Sequence, residues 1–418
     1  MEERKLYDDI ALRTQGDIYL GVVGPVRTGK STFIKRFMET LVIPGIENVY
    51  RRERARDELP QSGSGRTIMT AEPKFVPEEA VSVSVDGSSE FQVRLIDCVG
   101  YMVAGAVGQM EGESDRMVTT PWFDHEIPLV EAAEIGTRKV IAEHSTVGIV
   151  VTTDGTITDI PREDYLEPEQ RAILELKEQG KPFLVLLNCT NPASARAQAI
   201  RADIAGRYDV TCMAVNCLEL DRDTIHDLLR DLLYEFPIRQ MELFLPAWVD
   251  ALPQEHQIKQ NIYAAIRTGT QQLQRIRDVE GCVDSLSGCE ELSAAKVRTI
   301  DLGTGAAQID LELPRGLFYE TLSQQSGFHV ADDGDLMALL TELAGVKSSY
   351  DKVSDALRQV EETGYGIVVP AIDSLVLEEP EIMKQGGRYG VRLRASAPSI
   401  HIVWSKQKFR TGQQRGEW

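Results

Sequence analysis

The sequence predicts an α/β architecture in which a first domain is built on a mostly parallel sheet plus one antiparallel hairpin strand, followed by smaller α+β domains. Three observations carry this prediction. A short apolar run ends in a glycine-rich loop and a helical stretch over residues 17–41. Further apolar runs at 146–153, 183–188 and 212–216 are separated by helical stretches. Two alternating runs flank Asp86-Gly87, a hairpin turn signal.

Taken in order, Asp17 to Val23 is short, apolar and rich in β-branched residues, which suits a buried strand. The loop Gly24-Pro25-Val26-Arg27-Thr28-Gly29-Lys30-Ser31 follows, and a helical run extends from Thr32 to about Leu41. This strand, glycine loop and helix form the P-loop signature, so the first domain is expected to be a P-loop NTPase. Successive backbone N–H groups at the helix start surround phosphate oxygens, and glycines permit the close approach. Lys30 is expected to reach the β- and γ-phosphates, while Ser31 offers its hydroxyl to Mg²⁺. Val81 to Val85 and Phe91 to Ile96 alternate as a hairpin, and the second strand ends in Asp97-Cys98-Val99-Gly100. A carboxylate at that strand end can hold a magnesium-bound water, and Gly100 can sense the γ-phosphate. Between the motifs, Thr67 and Thr70 occupy a switch-like stretch, and Thr70 or Thr67 is expected to complete the metal shell. The expected nucleotide set is therefore Gly24, Arg27, Thr28, Gly29, Lys30, Ser31, Thr32, Gly100 and Asn188, with Ser31, Thr70 and Asp97 at the metal and Lys30, Asp97 and Thr70 in catalysis.

The strand 183–188 ends in Asn188-Cys189-Thr190-Asn191, where a GTPase carries Asn-Lys-x-Asp. A neutral Asn191 removes the carboxylate that reads guanine, which favours ATP. Asn188 is expected either to contact the base or to tie loops together. Tyr101 follows Gly100 where many relatives of this class place a water-orienting glutamine, so hydrolysis is expected to be slow or conditional. Arg27 is expected to be solvated rather than catalytic.

The second half reads as interaction or assembly modules. Pro237, Pro246 and Pro253 punctuate an entry strand at Met241 to Leu245, and an amphipathic stretch runs from Ile258 to Val279. Gln308 to Leu313 alternates as a strand, and Asp335 to Thr363 carries an apolar helical stripe, with Gly364 as its stop. That stripe is expected to pack on the domain's own sheet. Val391 to Ala395 reads as a strand with basic residues on its open face. The expected divisions are 1–238 for the P-loop domain, 239–330 and 331–402 for two α+β domains, and 403–418 for an atypical basic tail.

Composition bounds these readings. A chain of 418 residues exceeds what one core usually supports, and a net charge of −20 argues against nonspecific binding to nucleic acid or anionic lipid. No stretch reaches the roughly 18 consecutive apolar residues of a membrane helix, so a cytoplasmic protein is expected. The six cysteines lack Cys-x-x-Cys or zinc spacing and read as reduced core thiols.

With the P-loop in place, the chain resembles the stage IV sporulation protein A family, the spore-coat morphogenetic ATPases of endospore-forming bacteria. The resemblance rests on Asp57 to Ser62, Thr67 to Thr70, Asp97 to Tyr101, Glu134 to Ile141, Glu143 to Thr146 and Thr152 to Thr156, and extends through Val353 to Leu357, Thr363 to Ile367 and Ala397 to Ile402. It implies an ATP- and Mg²⁺-dependent ATPase that self-assembles into the coat's basement layer on the forespore surface, inside the mother cell. It also implies other coat proteins and a small amphipathic membrane peptide as partners, with Lys30, Ser31, Asp97 and Thr70 inheriting the binding and sensor roles. Two departures stand out: Ala71 replaces a frequent second threonine, and the basic, aromatic segment from Val403 to Trp418 replaces the family's C-terminal region. That region is associated with peptide docking, so the altered tail puts forespore anchoring in doubt. A GTP-dependent assembly switch and a nucleotide-binding scaffold without productive hydrolysis are the rival readings.

Overall fold

The computed structural model describes residues 2–60, 73–83, 90–104, 110–111, 114–120, 122–370, 372–386 and 388–406. The chain divides into two compact units between Leu313 and Pro314.

The first unit begins with a helix, α1 (Glu2–Thr14), which buries Tyr7 and Ile10. The strand β1 (Asp17–Val23) leads through the glycine loop into α2 (Lys30–Phe37), which continues as a π turn over Met38–Val42. After α3 (Val49–Asp57) come β2 (Lys74–Val83) and β3 (Phe91–Asp97), then α4 (Leu129–Lys139) and β4 (Val147–Thr153). The domain is completed by α5 (Leu166–Glu178), β5 (Phe183–Asn188), α6 (Ala195–Tyr208), β6 (Cys212–Val215) and α7 (Arg222–Tyr234). The sheet order is β6-β5-β4-β1-β3-β2. All neighbours run parallel except β2, which lies antiparallel to β3 with Phe75 opposite Ile96. The α/β expectation of a parallel sheet with one antiparallel strand therefore holds. The strand pair is longer than the alternation at 81–85 and 91–96 implies, and its expected turn at Asp86-Gly87 lies outside the described residues.

Every residue of β4 and β5 is buried, which explains their unbroken apolar runs. Alternate residues feed two layers. Ile149, Val151, Leu184 and Leu186 join Tyr7, Phe33 and Leu229, while Val150, Val185 and Leu187 join Ile173, Leu176 and Ile204. Helices thus cover both faces, and the C-terminal strand ends remain free to carry loops. The chain leaves β1 towards β3 on one side and β4 on the other, so the loop after β1 opens at a topological switch point.

Still within the first unit, β7 (Gln240–Phe244), β8 (Ala294–Asp301) and β9 (Ala306–Glu312) form a sheet in the order β7-β9-β8, β7 running parallel to β9. Three helices, α8 (Ala247–Ala251), α9 (Gln257–Thr270) and α10 (Asp278–Leu286), share its core through Val249, Ile262, Val279 and Leu286. The amphipathic stretch from Ile258 to Val279 is thus divided between two helices. Cys98, Cys189, Cys212, Cys217 and Cys282 are buried, Cys289 is half-buried, and all are free thiols.

The second unit opens with α11 (Arg315–Ser326), which lies on the N-terminal side of the expected boundary at 330/331. The long α12 (Asp333–Thr363) starts where the Asp332 carboxylate accepts the N–H groups of Gly334 and Asp335, and stops at Gly364 with φ 80°. The strand β10 (Tyr365–Val368) pairs antiparallel with the later β13 (Ile400–Val403), and β11 (Glu381–Gln385) with β12 (Arg388–Arg392). The strand expected at Val391 to Ala395 instead ends at Arg392, because its partner runs out at Glu381. The expectation that the α12 stripe packs on its own sheet holds for its last turns and fails in the middle of the helix. Ala356 and Val360 are buried, whereas Leu340 and Tyr350 are more than half exposed.

Candidate functional site

The loop after β1 turns through left-handed backbone at three positions, two of them glycines. Gly24 and Gly29 have φ of 128° and 93°. A Cβ on Gly24 would stand 2.4 Å from Val151 O, and one on Gly29 would stand 2.3 Å from Asn188 Nδ2. Arg27 shares the left-handed conformation at φ 62° and is half-buried rather than fully solvated. Thr28 is buried and its hydroxyl donates to Pro25 O at 3.0 Å.

Lys30, at the start of α2, is buried, and its ammonium donates to Pro25 O at 2.7 Å and Gly24 O at 3.3 Å. Burial pushes its pKa down, against the attraction of Cys98 and Asp97. Beside it, the Ser31 hydroxyl donates to Asp97 Oδ2 at 2.6 Å. The other carboxylate oxygen, Asp97 Oδ1, is buried with no hydrogen-bond partner, and burial pushes this carboxyl's pKa up. An orphaned carboxylate oxygen beside a serine hydroxyl fits a divalent cation that draws its remaining ligands from phosphate and water. Among the described residues no group of three or more His, Cys, Asp or Glu is arranged to hold a metal by itself. Thr32 lies half-buried in the first turn of α2, and Thr67, Thr70 and Ala71 lie outside the described residues.

The segment after β3 clasps the loop. Tyr101 N–H donates to Gly24 O at 3.2 Å and Val26 N–H donates to Tyr101 O at 2.9 Å. Gly100, with φ 94°, passes so close that a Cβ there would stand 2.1 Å from Gly24 O and 2.6 Å from Lys30 Nζ. The Tyr101 side chain is buried, and its hydroxyl donates to Glu175 on α5. Burial, and then Glu175, pushes that phenol well above its usual pKa. Arg171 lies over the ring, 5.1 Å from its centroid, and makes a two-pronged contact with Glu134 on α4 at 2.6 and 2.8 Å.

Asn188 ties loops together. Its Nδ2 donates to Thr28 O at 2.9 Å and its Oδ1 accepts the Cys217 N–H at 3.0 Å. Of the two readings open for Asn188, the geometry realises the loop tie. A further tie, absent from the sequence reading, follows β4: the Thr156 hydroxyl donates to Asp154 Oδ1 at 2.6 Å and accepts the Thr190 N–H at 3.0 Å. Its signal is a short polar run after a fully apolar strand, at the sheet edge where α/β proteins bind ligands. Glu175, Arg171 and Glu134 carry no such local signal.

The structure therefore brings Gly24, Thr28, Gly29, Lys30, Ser31, Asp97, Gly100 and Asn188 into one cradle at the strand ends. Sequence models of stage IV sporulation protein A cover the same chain: its ATPase domain matches residues 1–237 and its middle domain residues 238–408. The chain belongs to the stage IV sporulation protein A family. Two relatives of that name, from Clostridioides difficile (strain 630) and Bacillus subtilis (strain 168), are each 48% identical to it, over 398 and 403 residues. These alignments span 95% and 96% of this chain and 81% and 82% of the relatives. Family membership makes the first domain an ATPase domain of a sporulation protein, which implies a nucleotide substrate for the cradle.

Proposed function

We propose that the chain binds Mg²⁺-ATP, hydrolyses it slowly, and couples hydrolysis to self-assembly into the basement layer of the spore coat on the mother-cell side of the forespore membrane. The observation that carries the nucleotide reading is the pair Ser31 and Asp97, with its unpartnered Oδ1 beside the buried ammonium of Lys30. In this reading Lys30 leaves the Gly24 and Pro25 carbonyls for the β- and γ-phosphates. The backbone N–H groups of Gly29 to Thr32 complete the anion cradle at the start of α2. Ser31 and Asp97 would hold the cation, with Thr70 as sensor, and the cation when bound neutralises charge on the phosphates. Gly100 presents its N–H towards the terminal phosphate.

Slow turnover follows from Tyr101, whose hydroxyl is committed to Glu175 and whose ring is buried, so it cannot orient an attacking water. The neutral Asn191 supports adenine over guanine. The family's partners, a small amphipathic membrane peptide and other coat proteins, are assigned by resemblance alone, and no nucleic acid is assigned. No helix among the described residues is long and apolar enough to cross a membrane.

The test compares ATP with GTP turnover, and then nucleotide-driven sedimentation, for the intact chain and Lys30→Ala. ATP turnover and ATP-dependent pelleting that both vanish in Lys30→Ala are expected. GTP preference would favour the assembly-switch reading, binding without turnover the scaffold reading, and pelleting indifferent to nucleotide would remove the coupling.

A further inference from the structure

The helix α12 carries a strict seven-residue repeat. Positions 336, 343, 350 and 357 hold Leu, Leu, Tyr and Leu, and positions 339, 346, 353 and 360, three places on, hold Leu and three Val. All eight first and fourth positions of four heptads are thus apolar. A straight helix drifts about 20° per heptad against such a repeat, so a strict repeat suits a supercoiled helical partner better than a sheet. The two ends of the helix find cover within the unit: Leu336 and Leu339 are half-buried in its first turns, and Ala356 and Val360 are buried in its last, where Gly366 of β10 passes close to Ala356 O. Between them every residue from Leu340 to Lys352 is exposed, with the seam residues Leu343, Val346 and Tyr350 at 38%, 57% and 56%.

The charges beside the repeat select the partner. Glu342 occupies a seventh position and Lys347 the fifth position of the next heptad. In two parallel, in-register copies these positions face each other across the seam, so each Glu342 meets Lys347 of the other copy, twice per pair of helices. An antiparallel pairing would set seventh positions against seventh and fifth against fifth, like charge against like. Within its own helix Lys347 pairs with Asp351 at 3.3 Å, an exposed pair that contributes little and is readily exchanged.

We propose that α12 is a self-association surface on which a second copy of this chain docks as a parallel, in-register coiled coil through its exposed apolar seam. The inference rests on the self-assembly proposed above but needs no nucleotide.

The experiment is sedimentation velocity of the full chain over a concentration series without nucleotide, with circular dichroism as a check on folding. The wild type is expected to form a concentration-dependent oligomer. Leu343→Glu places a charge on a seam already exposed in the single chain and is expected to weaken association roughly a hundredfold. Glu342→Lys should weaken it about threefold by opposing two lysines, and Glu342→Lys with Lys347→Glu should restore it. A wild type that stays monomeric, an oligomer indifferent to Leu343→Glu, or a Glu342→Lys variant as tight as wild type would each overturn the proposal. The Lys30→Ala variant separates this surface from the nucleotide reading, because it should lose ATP-driven pelleting and keep the α12 oligomer.

Discussion

Asn188 Nδ2 sits where a Cβ on Gly29 would have to go, 2.3 Å from that point, and donates at 2.9 Å to the carbonyl of Thr28. The strand end of β5 thereby sets the shape of a loop 160 positions earlier.

Asn188→Ala removes both of its bonds at once and leaves Thr28 O and the Cys217 N–H buried without partners. A loss of about 2 kcal/mol in urea unfolding is expected, accompanied by weaker nucleotide binding. Gly29→Ala combines a left-handed φ with the same collision and should abolish nucleotide binding. An Asn188→Ala protein with wild-type stability and affinity would remove the tie from the account.

Asp97 and Lys30 share one site, and burial acts on them with opposite signs, holding the Asp97 proton to higher pH and releasing the Lys30 proton at lower pH. For Asp97 the folded state binds more protons than the unfolded chain above about 3.9, so this residue lowers stability as pH rises from there through its raised folded pKa. For Lys30 the cost is fully present below its lowered folded pKa and is relieved as pH rises towards about 10.4. Asp97→Asn should therefore remove this fall, so that in the absence of nucleotide its melting temperature gains on the wild type as pH rises from about 3.9 and is no lower at neutral pH. The same variant should lose magnesium-dependent nucleotide affinity by at least about tenfold. Thermal melts across pH, with and without Mg²⁺-ATP, check both halves.

Tyr101 occupies a position where a glutamine would promise faster hydrolysis, yet here the side chain points into the core and bonds Glu175. Tyr101→Gln is expected to destabilise by about 3 kcal/mol, through a cavity and a lost aromatic contact, without raising single-turnover hydrolysis. Tyr101→Phe keeps the packing and should cost only about 1 kcal/mol. Accelerated turnover in the glutamine variant would show that this position can reach the water.

Much of the fold is legible in the sequence where one element carries its own signal. The strands β4 and β5 read directly because they are apolar throughout, and the loop from Gly24 to Ser31 reads because its chemistry is contiguous. Helix α1 does not, since its charged run Glu2 to Lys5 and Asp8-Asp9 surrounds Tyr7 and Ile10, its buried apolar anchors. Nor does α6, whose small Ala-rich face buries little beyond Ala197, Ile204 and Tyr208. The contact of Tyr101 with Glu175 spans 74 positions and exists only because β3 and α5 converge in three dimensions. The exposed seam of α12 shows the opposite case: its periodicity is plain, but a stripe alone does not say whether sheet or helix covers it.

Asn191 stands at the open end of β5, exposed, with its Oδ1 accepting the Ala193 N–H at 3.2 Å. An aspartate there keeps that acceptor, so Asn191→Asp should fold as the wild type does. It also supplies the carboxylate that pairs with the two N–H donors on guanine's edge, a charge-assisted contact that adenine cannot return. Cys189 still occupies the place of the lysine that accompanies such an aspartate in GTPases, so only part of the guanine preference should appear. The expected change is a shift of roughly tenfold in the ratio of GTP to ATP affinity, read by competition against a fluorescent nucleotide. A ratio that does not move would mean that the base lies away from residue 191 and that adenine preference is set by another part of the pocket.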